Sequence, residues 1–276
     1  MKATWAFVFL LLAFLQGCSV TRLAYDNTDV LLRWQANNYF DFRGEQSEEL
    51  DRHVAAFLAW HRARALPQYA RLGEHAAARM LRGIQREDLE WGYDSVQVQV
   101  REVLAAAAAE SAGLLDRLSP EQISRLEQRF AEENRKFAKE QVHGTMEERN
   151  KRRVKRNLER LEEWFGPLSE AQADRVRRYS ARAPFSAELR DRDRKRRQAE
   201  FVAMLRAREA KQRLAQWAPA WDSGREPAYE AAAQATRAEY VELLLDLERM
   251  LTPAQRAVAA ARMREYAALF DSLSRR

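Results

Sequence analysis

An all-α fold is predicted on three grounds. Gly and Pro are scarce (9 and 7 of 276 residues), while Ala, Arg, Leu and Glu dominate, a mixture with strong helix propensity. Apolar residues recur near the 3.6-residue period through most of the chain. Alternation with period two is confined to Val96-Gln97-Val98-Gln99-Val100, which lies in helical context and reads as two valines on the buried face of a helix. With 46% hydrophobic and 32% charged residues, the chain has enough apolar material for one large core or two small ones.

The first stretch is read as lying outside the fold. Met1-Lys2 is followed by an apolar run from Trp5 to Leu15, too short for the roughly 20 residues that span a bilayer. It matches the apolar region of a secretory signal. Leu15-Gln16-Gly17-Cys18 resembles the lipobox of bacterial lipoproteins, in which the cysteine is acylated and becomes the new N-terminus. The expectation is a signal peptide over residues 1–17 and a single helical periplasmic domain over 18–276, lipid-anchored at Cys18. The alternative is an ordinary secretion signal with an incidental cysteine. Ser19, where an aspartate would favour inner-membrane retention, points to the outer membrane, with the domain facing the periplasm. Cys18 is the only cysteine, so the mature chain has no disulfide and no thiol chemistry to draw on. Loss of Lys2 with the leader lowers the net charge from +6 to +5.

The helices follow in order. One begins near Thr28, with Val30, Leu31, Trp34 and Tyr39 offering apolar contacts, and a second near Glu45, with Leu50, Val54, Phe57, Leu58 and His61 on its stripe. Pro67 is expected to end or kink that helix, and the pattern resumes to Gly83. Asp88 to Arg117 is a long helical stretch whose alanines (105–109) permit close approach of a neighbour. Residues 119–165 read as one very long pattern closed by Gly166-Pro167, and residues 186–217 as another. Residues 217–227 form the clearest loop, and Tyr229–Met250 and Thr252–Leu273 are expected to make a final antiparallel pair.

Three joints share one pattern: LSPEQ at 118–122, LSEAQ at 168–172 and LTPAQ at 251–255, with FRGEQ at 42–46 as a degenerate fourth. Ser119, Ser169 and Thr252 are helix N-caps, Pro120 and Pro253 suit the first helical position, and Gln122, Gln172 and Gln255 complete capping boxes. Each joint follows one apolar-periodic helix and precedes another. The predicted architecture is therefore an elongated array of antiparallel helical hairpins joined at capped L-[ST]-x-x-Q turns. The unequal spacing of the joints argues against a solenoid.

Two resemblances attach to these residues. YDNTDVLLRWQANNYFDF (25–42), AWHRARALPQY (59–69) and NLERLEEWFGPLSEAQ (157–172) resemble an uncharacterised family of proteobacterial lipoproteins, which implies an envelope location and a helical fold but no activity. The L-[ST]-x-x-Q element, carried here by Leu118, Ser119 and Gln122, by Leu168, Ser169 and Gln172, and by Leu251, Thr252 and Gln255, is similar to the LTxxQ motif of Spy- and CpxP-like periplasmic chaperones. In those proteins it sits at helix starts in a curved basic cradle. Capping chemistry shared by unrelated helical proteins accounts for the same residues.

Charge is concentrated in RNKRRVKR (149–156) and RDRDRKRR (190–197). Arg149, Lys151, Arg152, Arg153, Lys155 and Arg156 are the candidate residues for binding an anionic surface such as lipid phosphates. The competing reading is a solvated face paired with Glu147, Glu148, Glu159, Asp191 and Asp193. No nucleic-acid reader motif occurs, and nucleic acid is not an expected partner. Glu140 and His143 form a single Glu-x-x-His pair where di-iron bundles use two, so no metal site is assigned. No Gly-rich phosphate loop, nucleophile elbow or dinucleotide fingerprint is present, and neither a catalytic residue nor a cofactor is assigned. Trp34, Tyr39, Phe40, Trp60, Trp91 and Trp164 fall on apolar stripes and are expected in the core, while Trp217 and Trp221 flank the loop. The expected function is non-catalytic binding or scaffolding in the envelope, with an envelope protein or anionic lipid as partner. Chaperone action toward envelope proteins is the alternative, and an enzyme acting on envelope polymers ranks third.

Overall fold

The computed structural model describes residues 18–276, with side chains from Arg22 onward. The signal-peptide expectation for residues 1–17 lies outside the described residues, as does the side chain of Cys18. Among the described residues every regular element is helical. In chain order these are α1 (Cys18–Asp26), α2 (Thr28–Phe40), α3 (Glu45–Trp60), α4 (Leu66–Arg82), α5 (Arg86–Leu115), α6 (Pro120–Phe137), α7 (Met146–Phe165), α8 (Glu170–Arg182), α9 (Ala187–Ala207), α10 (Ala210–Trp217), α11 (Pro227–Met250) and α12 (Pro253–Ser274).

Pro67 does not stop the second helix. A π turn over His61–Ala65 joins α3 to α4, with the Leu66 amide donating to the carbonyl of His61. Proline lacks an N–H and its ring crowds the carbonyl four residues back; one extra residue in the preceding turn accommodates it while the helix runs on. Two expected long helices are divided instead. Residues 119–165 break after a second π turn (Ala138–Val142), where Gly144 takes φ 103° and Thr145 and Glu148 form a capping box that starts α7. Residues 186–217 break at Arg208 and Glu209, because the carboxylate of Asp116, at the end of α5, caps the first amides of α10 (Ala210 N at 2.6 Å, Lys211 N at 3.1 Å). A cap supplied from 94 residues away leaves no local signal.

The helices gather around two main cores. The first is built from α2, α3, α5, α6, α9 and α10, with Phe57, Leu114, Leu126 and Leu205 among its buried side chains. The second joins the end of α4 to α7, α8, α11 and α12 through Met80, Leu161, Val176, Leu243 and Ala260. A smaller cluster of Leu66, Leu269 and Leu273, with Tyr25, Tyr69, Tyr266 and Phe270 against it, lies where α3 passes into α4. The long α3–α4 element thus begins in one core and ends in the other. The expected pairing of the last two helices is corrected: α12 packs along α4, not back along α11. At that seam a Cβ on Gly73 would lie 3.0 Å from both Ala267 Cβ and the Met263 carbonyl, so glycine sets how close the two helices come.

The expectation of two buried-face valines within residues 96–100 is also corrected at Val96 and Val98. Both are exposed, and the buried face there carries Gln99 and Val103.

Candidate functional site

The joints are built as capping boxes and then do something that capping does not require. In each of the three full joints the Ser or Thr oxygen accepts the amide of the Gln, and the Gln Oε1 accepts the amide of the Ser or Thr. Beyond this, the glutamines pair across the fold. Gln172 and Gln255 donate to each other's Oε1 at 2.9 and 3.1 Å, and their remaining Nε2 donors reach the carbonyls of Met250 (3.0 Å) and Pro167 (2.9 Å). Gln122 pairs in the same way with Gln46 of the degenerate joint, at 2.8 and 3.4 Å, with Asp41 and Arg117 supplying the carbonyls at 3.3 and 3.4 Å. In all four cases the accepting carbonyl lies five residues before the partner glutamine. Each core therefore holds one two-fold-like glutamine clasp, locking two joints together. Leu118, Leu251 and Phe42 are buried beneath these joints, and Leu168 packs against the second core.

The basic cluster does not form one binding face. Arg149 is buried, holds Glu188 in a two-pronged pair (2.6 and 3.0 Å) and faces the Phe185 ring. Arg153 donates to the carbonyls of Ser180, Ala183 and Pro184, which end α8 and begin the next loop, and stacks 3.5 Å from the Phe185 ring centre. These two arginines fasten α7 to the α8–α9 connection. Arg152 donates to the His143 carbonyl at 3.0 Å, Lys155 lies 3.7 Å from Glu159, and Lys151 and Arg156 are exposed. Four of the six candidates thus remain at the surface. The second basic run is likewise engaged. Arg197 donates to the carbonyls of Trp217 and Ala220, Arg196 to that of Ser223, and Arg192 pairs with Glu226, so the run pins the 217–227 loop to α9. Trp217 stacks on Phe201 and donates to Glu200.

Among the described residues no group of three or more His, Cys, Asp or Glu side chains is placed to hold a metal ion, and no helix is long and apolar enough to cross a membrane. What the helices do enclose is an apolar groove of about 470 Å³, between the α4–α5 connection, the end of α7 and the middle of α11. Met80, Leu161, Leu244 and Met263 form its floor, and Trp91, Tyr93 and Trp164 stand along its sides. Trp91 and Trp164, expected in the core, are half-buried walls of this groove. Arginines crowd the rim. Arg79 lies 3.8 Å over Trp91 and 3.0 Å from Asp88, Arg237 lies 3.7 Å over Tyr93, and Arg160 completes the mouth. Inside, burial pushes the Glu248 carboxyl above its ordinary range, against the pull of Arg256 at 2.6 Å. Val96 and Tyr93, both well exposed, extend the apolar wall outward. Composition alone could not reveal this groove, because it is assembled from four separated segments.

Fold and site together define an all-α protein with an apolar, arginine-rimmed groove set against one of its two glutamine-clasped cores. The chain belongs to a family of unknown function, DUF6279, whose model matches residues 38–218. That span includes the first clasp complete, but only the Gln172 half of the second. Neither a curated protein nor a solved structure matches the chain.

Proposed function

We propose that this protein is a non-catalytic binding protein of the bacterial envelope, held at the outer membrane by a lipid on Cys18, facing the periplasm, and using the groove to take an apolar segment of an envelope partner. The groove is the observation that carries this reading. Its lining is overwhelmingly apolar, aromatic side chains form its walls, and the arginines at its rim favour a segment flanked by acidic groups. Acylation at Cys18 would hold the site near the bilayer. Each buried methylene contributes ~0.8 kcal/mol, and two or three chains make such anchoring stable. The four surface cations of α7 (Lys151, Arg152, Lys155 and Arg156) are a separate candidate contact for anionic lipid.

The test is photo-crosslinking in cells from a reactive residue placed at Val96 or Tyr93. A single discrete adduct, lost when Leu244 is replaced by Arg, is the expected outcome. A ladder of many adducts would point to chaperone action toward unfolded envelope proteins. No adduct from either position, with the protein folded and processed, would remove the groove from the proposal.

A further inference from the structure

Val30, Leu31 and Trp34 were expected to offer apolar contacts, Trp34 in the core, and the structure leaves all three exposed, with Leu23 exposed before them. Leu23, Val30, Leu31 and Trp34 are 65, 54, 54 and 57% exposed. Within α2 the helical period places Val30, Trp34 and Leu31 inside one arc of about 100°. The opposite side of the same helix carries Leu32, Ala36, Tyr39 and Phe40, which pack on the first core. A helix that has already buried one apolar side gains nothing in water from a second.

This segment is also fixed to the body. Arg22 donates to the Ser272 hydroxyl at 2.7 Å, the Tyr25 hydroxyl lies 3.0 Å from His61 Nδ1, and Asp26 pairs with Arg276 at 2.9 Å. The exposed stripe is therefore held in a defined orientation by contacts to α12, to Arg276 and to the π turn at His61. Leu23 lies five residues past Cys18, about 8 Å along a helix axis.

We infer that Leu23, Val30, Leu31 and Trp34 form a membrane-contacting face, seated in the interfacial layer of the bilayer beside the acylated Cys18. The inference rests on the lipid-anchor reading, because the anchor is what brings this face to a bilayer. Exposed leucine, valine and tryptophan side chains at such a depth exchange water for acyl-chain contact, and an indole suits the interface. The face makes the anchor directional: the body is held in one orientation on the membrane instead of swinging on a flexible stalk.

The test uses the full purified chain reconstituted in phosphatidylethanolamine–phosphatidylglycerol vesicles with brominated acyl chains, alongside mass analysis of the Cys18 peptide. Wild-type tryptophan emission should be quenched, and Trp34→Phe should remove about half or more of the quenched component, since Trp34 is the one exposed tryptophan among the described residues. Leu31→Cys, labelled with a polarity-sensitive dye, gives a second readout that leaves Trp34 in place and should report an apolar setting. Lipid contact at both positions supports the face whatever the state of Cys18. Acylated Cys18 with neither position in lipid overturns the face and leaves the anchor standing. Unmodified Cys18 with neither position in lipid overturns both. Cross-links between copies through Leu31→Cys, without quenching, would assign the face to a second copy and overturn the membrane assignment.

Discussion

The two glutamine clasps use the same residue type in the same arrangement, yet they differ in depth and completeness. Gln172 is almost wholly buried, both of its joints carry a capping Ser or Thr, and every cross-joint bond lies between 2.9 and 3.1 Å. In the first clasp both glutamines are half-buried and the cross-joint bonds run from 2.8 to 3.4 Å. One of its joints has lost the cap altogether. There Gly44 precedes α3 with φ 54° and ψ −129°, and Gln46 sits one position earlier in its helix than the other three glutamines do in theirs. What survives in the degenerate joint is the buried apolar residue, Phe42, and the cross-joint amide. Pairing between joints, not capping within one, is thus the feature common to all four.

The largest effect should come from the deeper clasp. Gln172→Leu keeps roughly the same volume but removes, at an almost wholly buried side chain, the partner of the Ser169 amide, the Met250 carbonyl and the Gln255 side-chain amide, at a cost of about 3 kcal/mol. Gln122→Leu should cost about half as much, because water can reach the groups it abandons. Urea denaturation of both variants decides the matter. Equal losses would erase the distinction drawn between the clasps, and additivity of Gln172→Leu with Gln255→Leu would deny that they act as a pair.

A second test concerns the place where one core hands over to the other. His61 is buried among Tyr25, Phe57, Trp60 and Tyr69. Burial, helped by the adjacent Arg62, lowers its pKa to about 4. The folded chain therefore keeps His61 neutral where the unfolded chain binds a proton, so stability falls as pH drops from about 6.5 to about 4. The loss should reach up to about 3 kcal/mol at the acid end and disappear above pH 7. Denaturation at pH 7 and pH 4.5 should show a clearly smaller decrease for His61→Gln than for wild type; decreases of equal size would acquit His61.

The α4–α12 seam offers a third test, of whether the two cores stand or fall together. Gly73→Val forces a branched side chain into contacts already at 3.0 Å and should cost about 2 kcal/mol through over-packing and helix separation. One cooperative transition with a lower midpoint is expected if the seam couples the cores. Two resolved transitions in the variant would mean that each clasped core is stable alone.

These comparisons also show what could be read along the chain. The joints were legible because a capping box is local: Ser or Thr, then Gln three residues on, at the start of an apolar pattern. The all-α class was legible for the same reason, since propensity and period act over one or two turns. The Thr145–Glu148 box has the same legible pattern, yet it lies hidden in a stretch that periodicity joins into one helix. The clasps were not readable, because a glutamine that caps its own helix gives no sign of the second amide it meets 76 or 83 residues away. Arg149 and Arg153 misled for a related reason. A dense basic run suggests a solvated face, whereas the carbonyls at the end of α8 and the ring of Phe185 draw two of its members inward. Trp34 failed in the opposite sense, because a helix apolar on both sides gives no indication of which side the core takes.

The smallest expected effect bears most directly on how the first joint should be understood. Arg43→Ser restores the pattern that the other joints share, and if sequence pattern alone decided, it would add a cap worth about 1 kcal/mol. The structure argues otherwise. Gly44 occupies the N-cap position, so residue 43 lies one step outside the helix, and Gln46 engages Gln122 and the Arg117 carbonyl instead of reaching back to close a box. The substitution removes only an exposed pair between Arg43 and Asp41, of the kind that contributes little. The expected change is within about 0.5 kcal/mol of wild type. A gain near 1 kcal/mol would mean that α3 can start one residue earlier under the new cap, making the first joint a damaged copy of the others. No gain would mean that its register is fixed by the clasp, with Phe42 and Gln46 held where the partner joint needs them and the cap given up as a consequence.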